Sequence, residues 1–278
     1  MEVCFGLPGV HNLAAWKALS SSDIRLVGVR HEQTAVYAAD GYARASGRVG
    51  VAITTTGPGA ANTLGALGEA WASGSPVVVI ATDIPSTIRR PGVYRGALHE
   101  ASDQEAMFKP VTKATVKVTD PGMLGSVLES AIQTAPAAPS RPVYVEVPTD
   151  VLAASGDPPP PERGASSLPS PADAELDRAA EILAGAARPI VWAGGGALRS
   201  GASAEVGSLA ERLAAPVFTT YMARGLLGAS HPCAVGLPPH VPAAGALWDD
   251  ADAVLAIGTD FDGMMTQNWA MPPPRPRR

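Results

Sequence analysis

Residues 50–62 read Gly-Val-Ala-Ile-Thr-Thr-Thr-Gly-Pro-Gly-Ala-Ala-Asn. A short β-branched run leads into a Gly57-Pro58-Gly59 turn, and an alanine-rich stretch follows. The run suits a strand buried on both faces. Glycine permits unusual φ values and proline suits the first turn of a helix. The stretch therefore predicts a strand over 50–55 and a helix over 60–72. Working outward, the same alternation recurs. Strands are expected at 3–5, 24–29, 76–81 and 142–147, and helices at 32–45 and 123–134. This predicts an α/β fold, a doubly wound and mostly parallel sheet. Ligands of such sheets sit at the carboxyl ends of strands, where Gly57-Pro58-Gly59 falls.

The organisation of the rest follows from composition. Residues 1–154 form the first expected domain. A strand two residues from the start suggests that its first element is missing. Residues 155–171 contain Pro158-Pro159-Pro160-Pro161 and several serines, so they read as a semi-rigid linker. Residues 172–271 predict a second, partial α/β domain. Its helices fall at 172–186 and 202–213, its strands at 189–193, 216–220 and 251–257. Gly194-Gly195-Gly196 reads as a tight turn, with a phosphate-facing loop as the alternative. Residues 272–278 carry four prolines and three arginines and predict an irregular tail.

Of the 278 residues, 46% are hydrophobic and 17% charged, as in an ordinary globular protein. A net charge of -5 argues against a nucleic-acid surface. Cys4 and Cys233 form no metal-spaced cluster, and no run is apolar enough to span a bilayer. With no signal-peptide pattern, the expectation is a cytoplasmic protein with neither nucleic-acid nor membrane partners.

Arg30-His31-Glu32-Gln33 opens the helix expected after the strand at 24–29. A glutamate at a helix start ordinarily lies on the surface and complements the helix dipole. Here it follows an apolar strand, so it can be partly desolvated and can share a proton with a ring nitrogen. Gly57-Pro58-Gly59 is either a plain strand-to-helix turn or a place where a ligand approaches the backbone. It does not fit G-x-G-x-x-G, because Asn62 holds the sixth position, and no Walker A sequence occurs. His31-Glu32 and His99-Glu100 each begin H-E-x-x-H. Ala35 and Asp103 stand where the second histidine is required, which excludes a zinc protease.

Taken in order, several segments resemble thiamine-diphosphate-dependent enzymes of the acetolactate synthase large-subunit type. They are Phe5-Gly6-Leu7-Pro8-Gly9, Arg30-His31-Glu32, the run AADGYAR at 38–44, GPGAAN at 57–62, PVVVI at 76–80 and RPVYVEVP at 141–148. They cover the family's pyrimidine-binding domain. Residues 189–196, 215–225 and 252–262 resemble part of its central domain. The resemblance implies a cofactor-binding set of Gly9, Glu32, Gly57, Pro58, Gly59 and Asn62. It gives Glu32 the role of hydrogen-bonding the aminopyrimidine nitrogen and promoting the imino tautomer. That tautomer removes the thiazolium C2 proton, and the resulting ylid attacks a 2-oxo acid. Decarboxylation then leaves a carbanion stabilised by the cofactor.

Departures from the family pattern carry information too. Leu98-His99-Glu100 replaces Phe-Gln-Glu, so His99 becomes a second catalytic candidate, a proton donor that suits a decarboxylase. Leu98 and His99 are expected to line the substrate pocket. Asp260-Phe261-Asp262-Gly263-Met264 lacks two arginines of the flavin-contacting pattern, which argues against FAD. The family binds Mg²⁺ and the diphosphate through Gly-Asp-Gly, absent from these residues, so Mg²⁺ is expected only with a further domain and no metal ligands are assigned here. The expectation is a truncated acetolactate synthase-like chain, inactive alone, working on 2-oxo acids in at least a dimer. The alternatives are a 2-oxo acid decarboxylase, one subunit of a split enzyme with the diphosphate domain on a partner, or a non-catalytic remnant that associates with relatives.

Overall fold

The structure is a computed structural model that describes residues 1–90, 92–155, 170–261, 263–268 and 270. The tail at 272–278 and all but three residues of the expected linker lie outside the described residues. The chain divides into two compact units, Met1–Ser167 and Leu168–Arg278.

The first unit runs β1 (Val3–Gly6), α1 (Leu13–Ser20), β2 (Arg25–Gly28), α2 (Glu32–Ser46), β3 (Gly50–Thr54), α3 (Pro58–Ala61), α4 (Leu64–Ala72), β4 (Val77–Asp83), β5 (Ala114–Lys117), α5 (Leu124–Thr134), β6 (Val143–Pro148) and α6 (Thr149–Ala153). Six strands form one sheet in the order β2-β1-β3-β4-β6-β5, every pair parallel. The strand period of two explains both faces. Val77, Val79 and Ala81 of β4 point into one core with Ala35, Val36 and Ala39 of α2 and Leu67 of α4. Val78 and Ile80 point the other way, toward Ala131, Leu128 and Ile132 of α5 and Trp16 of α1. An unbroken apolar strand is what burial on both faces requires.

This topology decides where a ligand can bind. The chain leaves β1 for β2 on one side, then returns to β3 on the other. The loops after β1 and β3 therefore diverge to opposite faces and leave a crevice at the strand carboxyl ends.

In the second unit, α7 (Asp173–Gly185), β7 (Pro189–Ala193), α8 (Gly195–Arg199), α9 (Ser203–Leu213), β8 (Val217–Thr219), α10 (Pro242–Asp250) and β9 (Ala253–Ile257) build a three-stranded parallel sheet, β8-β7-β9. Trp192 of β7 is fully buried between Phe218 and the edge of Trp248, whose ring centroid is 5.1 Å away.

Three expectations need correction. The helix expected over 60–72 starts earlier, at Pro58, and breaks after Ala61. The Thr63 hydroxyl donates to the Ala60 carbonyl at 2.6 Å, and this local bond competes with the helix ladder. Gly194-Gly195-Gly196 is not an isolated turn, because Gly194 is extended and Gly195 opens α8. The Gly196 N–H donates to the Gly258 carbonyl at 2.8 Å, an approach that leaves no room for a Cβ. Finally, the last strand starts at Ala253 rather than 251, because Asp252 accepts hydrogen bonds from the Ala187 and Arg188 amides, both at 2.9 Å.

Candidate cofactor site

β2 ends at Gly28 and the chain turns at Arg30-His31 into α2. His31 caps the helix, its Nδ1 accepting from the Gln33 amide at 3.2 Å. Glu32 is thus the first helical residue. It is only 8% exposed, so it faces inward rather than complementing the dipole from the surface. Its Oε2 accepts from Asn62 Nδ2 at 2.9 Å. Asn62 stands at the break between α3 and α4, so the interruption that sequence reasoning missed presents the amide to the carboxylate.

The glycine turn supplies the other wall. Gly57 has φ +59°, and a Cβ there would stand 2.2 Å from the His99 carbonyl oxygen. Both facts call for glycine. Gly59 lies against Glu32. A Cβ on it would stand 3.2 Å from Glu32 Oε1 and 2.5 Å from Thr55 Cγ2. The Thr54 and Thr55 hydroxyls are buried with no hydrogen-bond partner among the described residues. The Thr54 hydroxyl lies with Glu32 at Gly59 and the Thr55 hydroxyl against Gly9, and both are groups that a polar ligand would satisfy.

Of the expected residues, Glu32, Gly59 and Asn62 are brought into contact. Gly9 joins them through Thr55, which packs where its Cβ would be. Its loop is held by Asn12, which accepts from the Gly9 amide at 2.8 Å and donates to the Leu7 carbonyl at 3.1 Å. Pro58 is exposed at the start of α3. His99 has its backbone against Gly57 and a left-handed φ of +62°. Leu98 is 56% exposed, and among the described residues nothing covers it. No described contact joins His99 to Glu32. In the second unit, Asp262 lies outside the described residues.

Sequence reasoning missed a buried polar network behind the turn. The Gly57 N–H donates to Gln104 Oε1 at 2.5 Å. Gln104 Nε2 reaches the Thr82 carbonyl, the Tyr144 hydroxyl and Glu146 Oε2 at 2.8–3.1 Å. Lys117 bridges Glu146 and Asp83 at 2.7 and 2.6 Å, and Arg89 grips both oxygens of Asp83. Arg89 also donates to the Ala101 and Ser102 carbonyls, which ties the network to the loop carrying His99. Burial alone would push Asp83 up, but Lys117 and Arg89 outweigh it and hold the carboxyl below its usual range. Burial and nearby Asp83 push Glu146 up, against the pull of Lys117. Part of the signal was available, since Glu146 interrupts the otherwise apolar β6, but its partner Lys117 ends a short separate strand.

Comparison with known proteins decides the family. The model for the N-terminal TPP binding domain of thiamine pyrophosphate enzymes matches residues 1–107, and that for the central domain matches residues 176–277. The chain belongs to the thiamine pyrophosphate enzymes. A protein of Pseudomonas aeruginosa named "Probable 2-ketoarginine decarboxylase" is 39% identical over 94% of this chain and 46% of its own length. The "Probable acetolactate synthase large subunit" of Methanocaldococcus jannaschii is 33% identical over 96% of this chain and 46% of its length. The "Acetolactate synthase large subunit" of Corynebacterium glutamicum is 35% identical over 95% and 43%. This thiamine pyrophosphate enzyme chain spans a little under half the length of the curated relatives it matches. Its crevice between β1 and β3 falls within the matched TPP binding domain.

Proposed function

We propose that the first unit carries the aminopyrimidine half of a thiamine diphosphate site in an enzyme of acetolactate synthase type acting on 2-oxo acids. One observation carries the reading. Glu32 is buried, oriented by Asn62 through Oε2, with Oε1 close against Gly59, where no side chain could stand between the carboxylate and the turn. A carboxyl so placed can hold a proton at a ring nitrogen. The orphaned hydroxyls of Thr54 and Thr55 fit the polar edge of an aminopyrimidine, and Gly57 and Gly59 keep the turn free of side chains beside Glu32. Gln104 fixes the Gly57 amide, so the turn keeps its shape before any ligand arrives. Bound thiamine diphosphate would supply the electron sink for decarboxylation of a 2-oxo acid.

We place the diphosphate and its Mg²⁺ on a domain outside these 278 residues, on a longer chain or a partner, with a dimer as the minimal assembly. Titration calorimetry tests this. The chain alone should bind thiamine diphosphate weakly, with no dependence on Mg²⁺. Glu32→Gln should weaken binding roughly tenfold or more, the effect of losing a charge-assisted hydrogen bond of ~1.5–3 kcal/mol. Tight, Mg²⁺-dependent binding by the chain alone would contradict the placement.

A second reading, a 2-oxo acid decarboxylase rather than a carboligase, draws on His99. It stands against the cofactor turn where the carboligase pattern has glutamine, and one relative is named a decarboxylase. Product analysis of the assembled enzyme separates them: aldehyde alone supports the decarboxylase, acetolactate the carboligase.

A further inference from the structure

His11 and His99 come from different loops, after β1 and after β4, yet meet at the same end of the sheet. Their ring centroids are 5.8 Å apart and their planes are tilted by 56°. Each ring sits on a loop that is held from behind. His11 lies in the 3₁₀ turn Val10–Asn12, locked by the wholly buried Asn12 side chain. The His99 loop is closed by Glu100, whose carboxylate accepts from the Arg95 and Ala97 amides, both at 3.0 Å. His99 takes a left-handed backbone that non-glycine residues adopt rarely, and such outliers persist where the surroundings enforce them.

The pair is polar, and its His11 member is unsatisfied. His11 Nδ1 is buried with no hydrogen-bond partner among the described residues. Burial and the neighbouring His99 push the His11 imidazole below its usual range, with Asp83 acting in the opposite sense. An anion between the rings would favour the protonated His11 that burial and His99 oppose. Among the described residues no third histidine, cysteine or carboxylate completes a metal-ligand set with them. What two adjacent imidazole donors match is the two oxygens of one carboxylate.

We propose that His11 and His99 together form the subsite for the carboxylate of a 2-oxo acid, at the β1–β3 crevice beside the cofactor turn. The proposal rests on the 2-oxo acid reading above and extends it by naming the group each imidazole takes.

The test uses the ¹⁵N-labelled 278-residue chain and follows its imidazole nitrogens by NMR at fixed pH and ionic strength. Pyruvate is the probe, and pyruvamide is the matched neutral control. Pyruvate should move both rings saturably with one common midpoint, and pyruvamide should move neither. His11→Gln should weaken the His99 response at least fivefold, and His99→Asn should do the same to His11. Asparagine tolerates the left-handed backbone, so the second variant keeps the fold even where the first does not. Rings that stay still, that respond with different midpoints, or that respond equally to pyruvamide would overturn the proposal. Thiamine diphosphate added to the same samples reads the cofactor site separately. A cofactor response at Gly57 with silent histidines rejects the subsite and leaves the cofactor reading intact.

Discussion

At the scale of single residues, the first unit buries several carboxylates, and their partners sort them by role. Asp83 and Glu146 are matched by Lys117, Arg89, Gln104 and Tyr144, whereas Glu32 has only a neutral amide as its described hydrogen-bond partner. The matched set is structural. Lys117→Met leaves both acids buried with their shared cation gone. It should cost about 3–5 kcal/mol, read as a lower urea midpoint. The set also fixes a pH dependence. Asp83 is held below its ordinary value of 3.8, so its contribution is complete above that pH and is lost as pH falls through the lower folded value. Glu146, held above 4.5, acts with the opposite sign at higher pH. The acid loss from Asp83 should therefore begin below about pH 4, and Asp83→Asn should flatten it in urea melts recorded across pH. Glu32 and the glycine turn were legible in the sequence, because a charge after an apolar strand and a Gly-Pro-Gly break are local signals. The Gly57–Gln104 bond and the His11–His99 contact were not, since each joins loops distant in the chain and only the sheet order brings them together.

At the scale of elements, the apolar runs named the buried strands, and the alternation of Val77 and Val79 against Val78 and Ile80 assigned their faces. Leu67 of α4 is wholly buried against β4, so Leu67→Ala should cost about 2–5 kcal/mol by denaturant unfolding. β5 escaped sequence reading because Ala-Thr-Val-Lys is a short edge strand, half-buried throughout, whose lysine is satisfied only by acids elsewhere. The α3–α4 break escaped for a different reason. Alanine-rich sequence favours a continuous helix, and a single threonine hydroxyl overrides it. At the preceding turn, Gly57→Ala meets both a positive φ and the His99 carbonyl. It should destabilise by more than about 1 kcal/mol and displace the His99 loop, visible as shifted loop amides.

At the scale of the molecule, two parallel α/β units match two successive domains of one enzyme family, over a little under half the length of the relatives. The alternation of strands and helices made both units legible. The crevice follows from the observed strand order β2-β1-β3, which no local pattern encodes. The central claim is that this crevice receives the aminopyrimidine of thiamine diphosphate through Glu32. Its most direct measurement is the amide spectrum of the ¹⁵N-labelled chain during titration with thiamine diphosphate. The Gly57 and Gly59 amides and the Asn62 side-chain amide should shift saturably, and in Glu32→Gln the midpoint of that response should rise about tenfold or more. Unmoved signals in the wild-type chain, or an identical response in Glu32→Gln, would contradict the account.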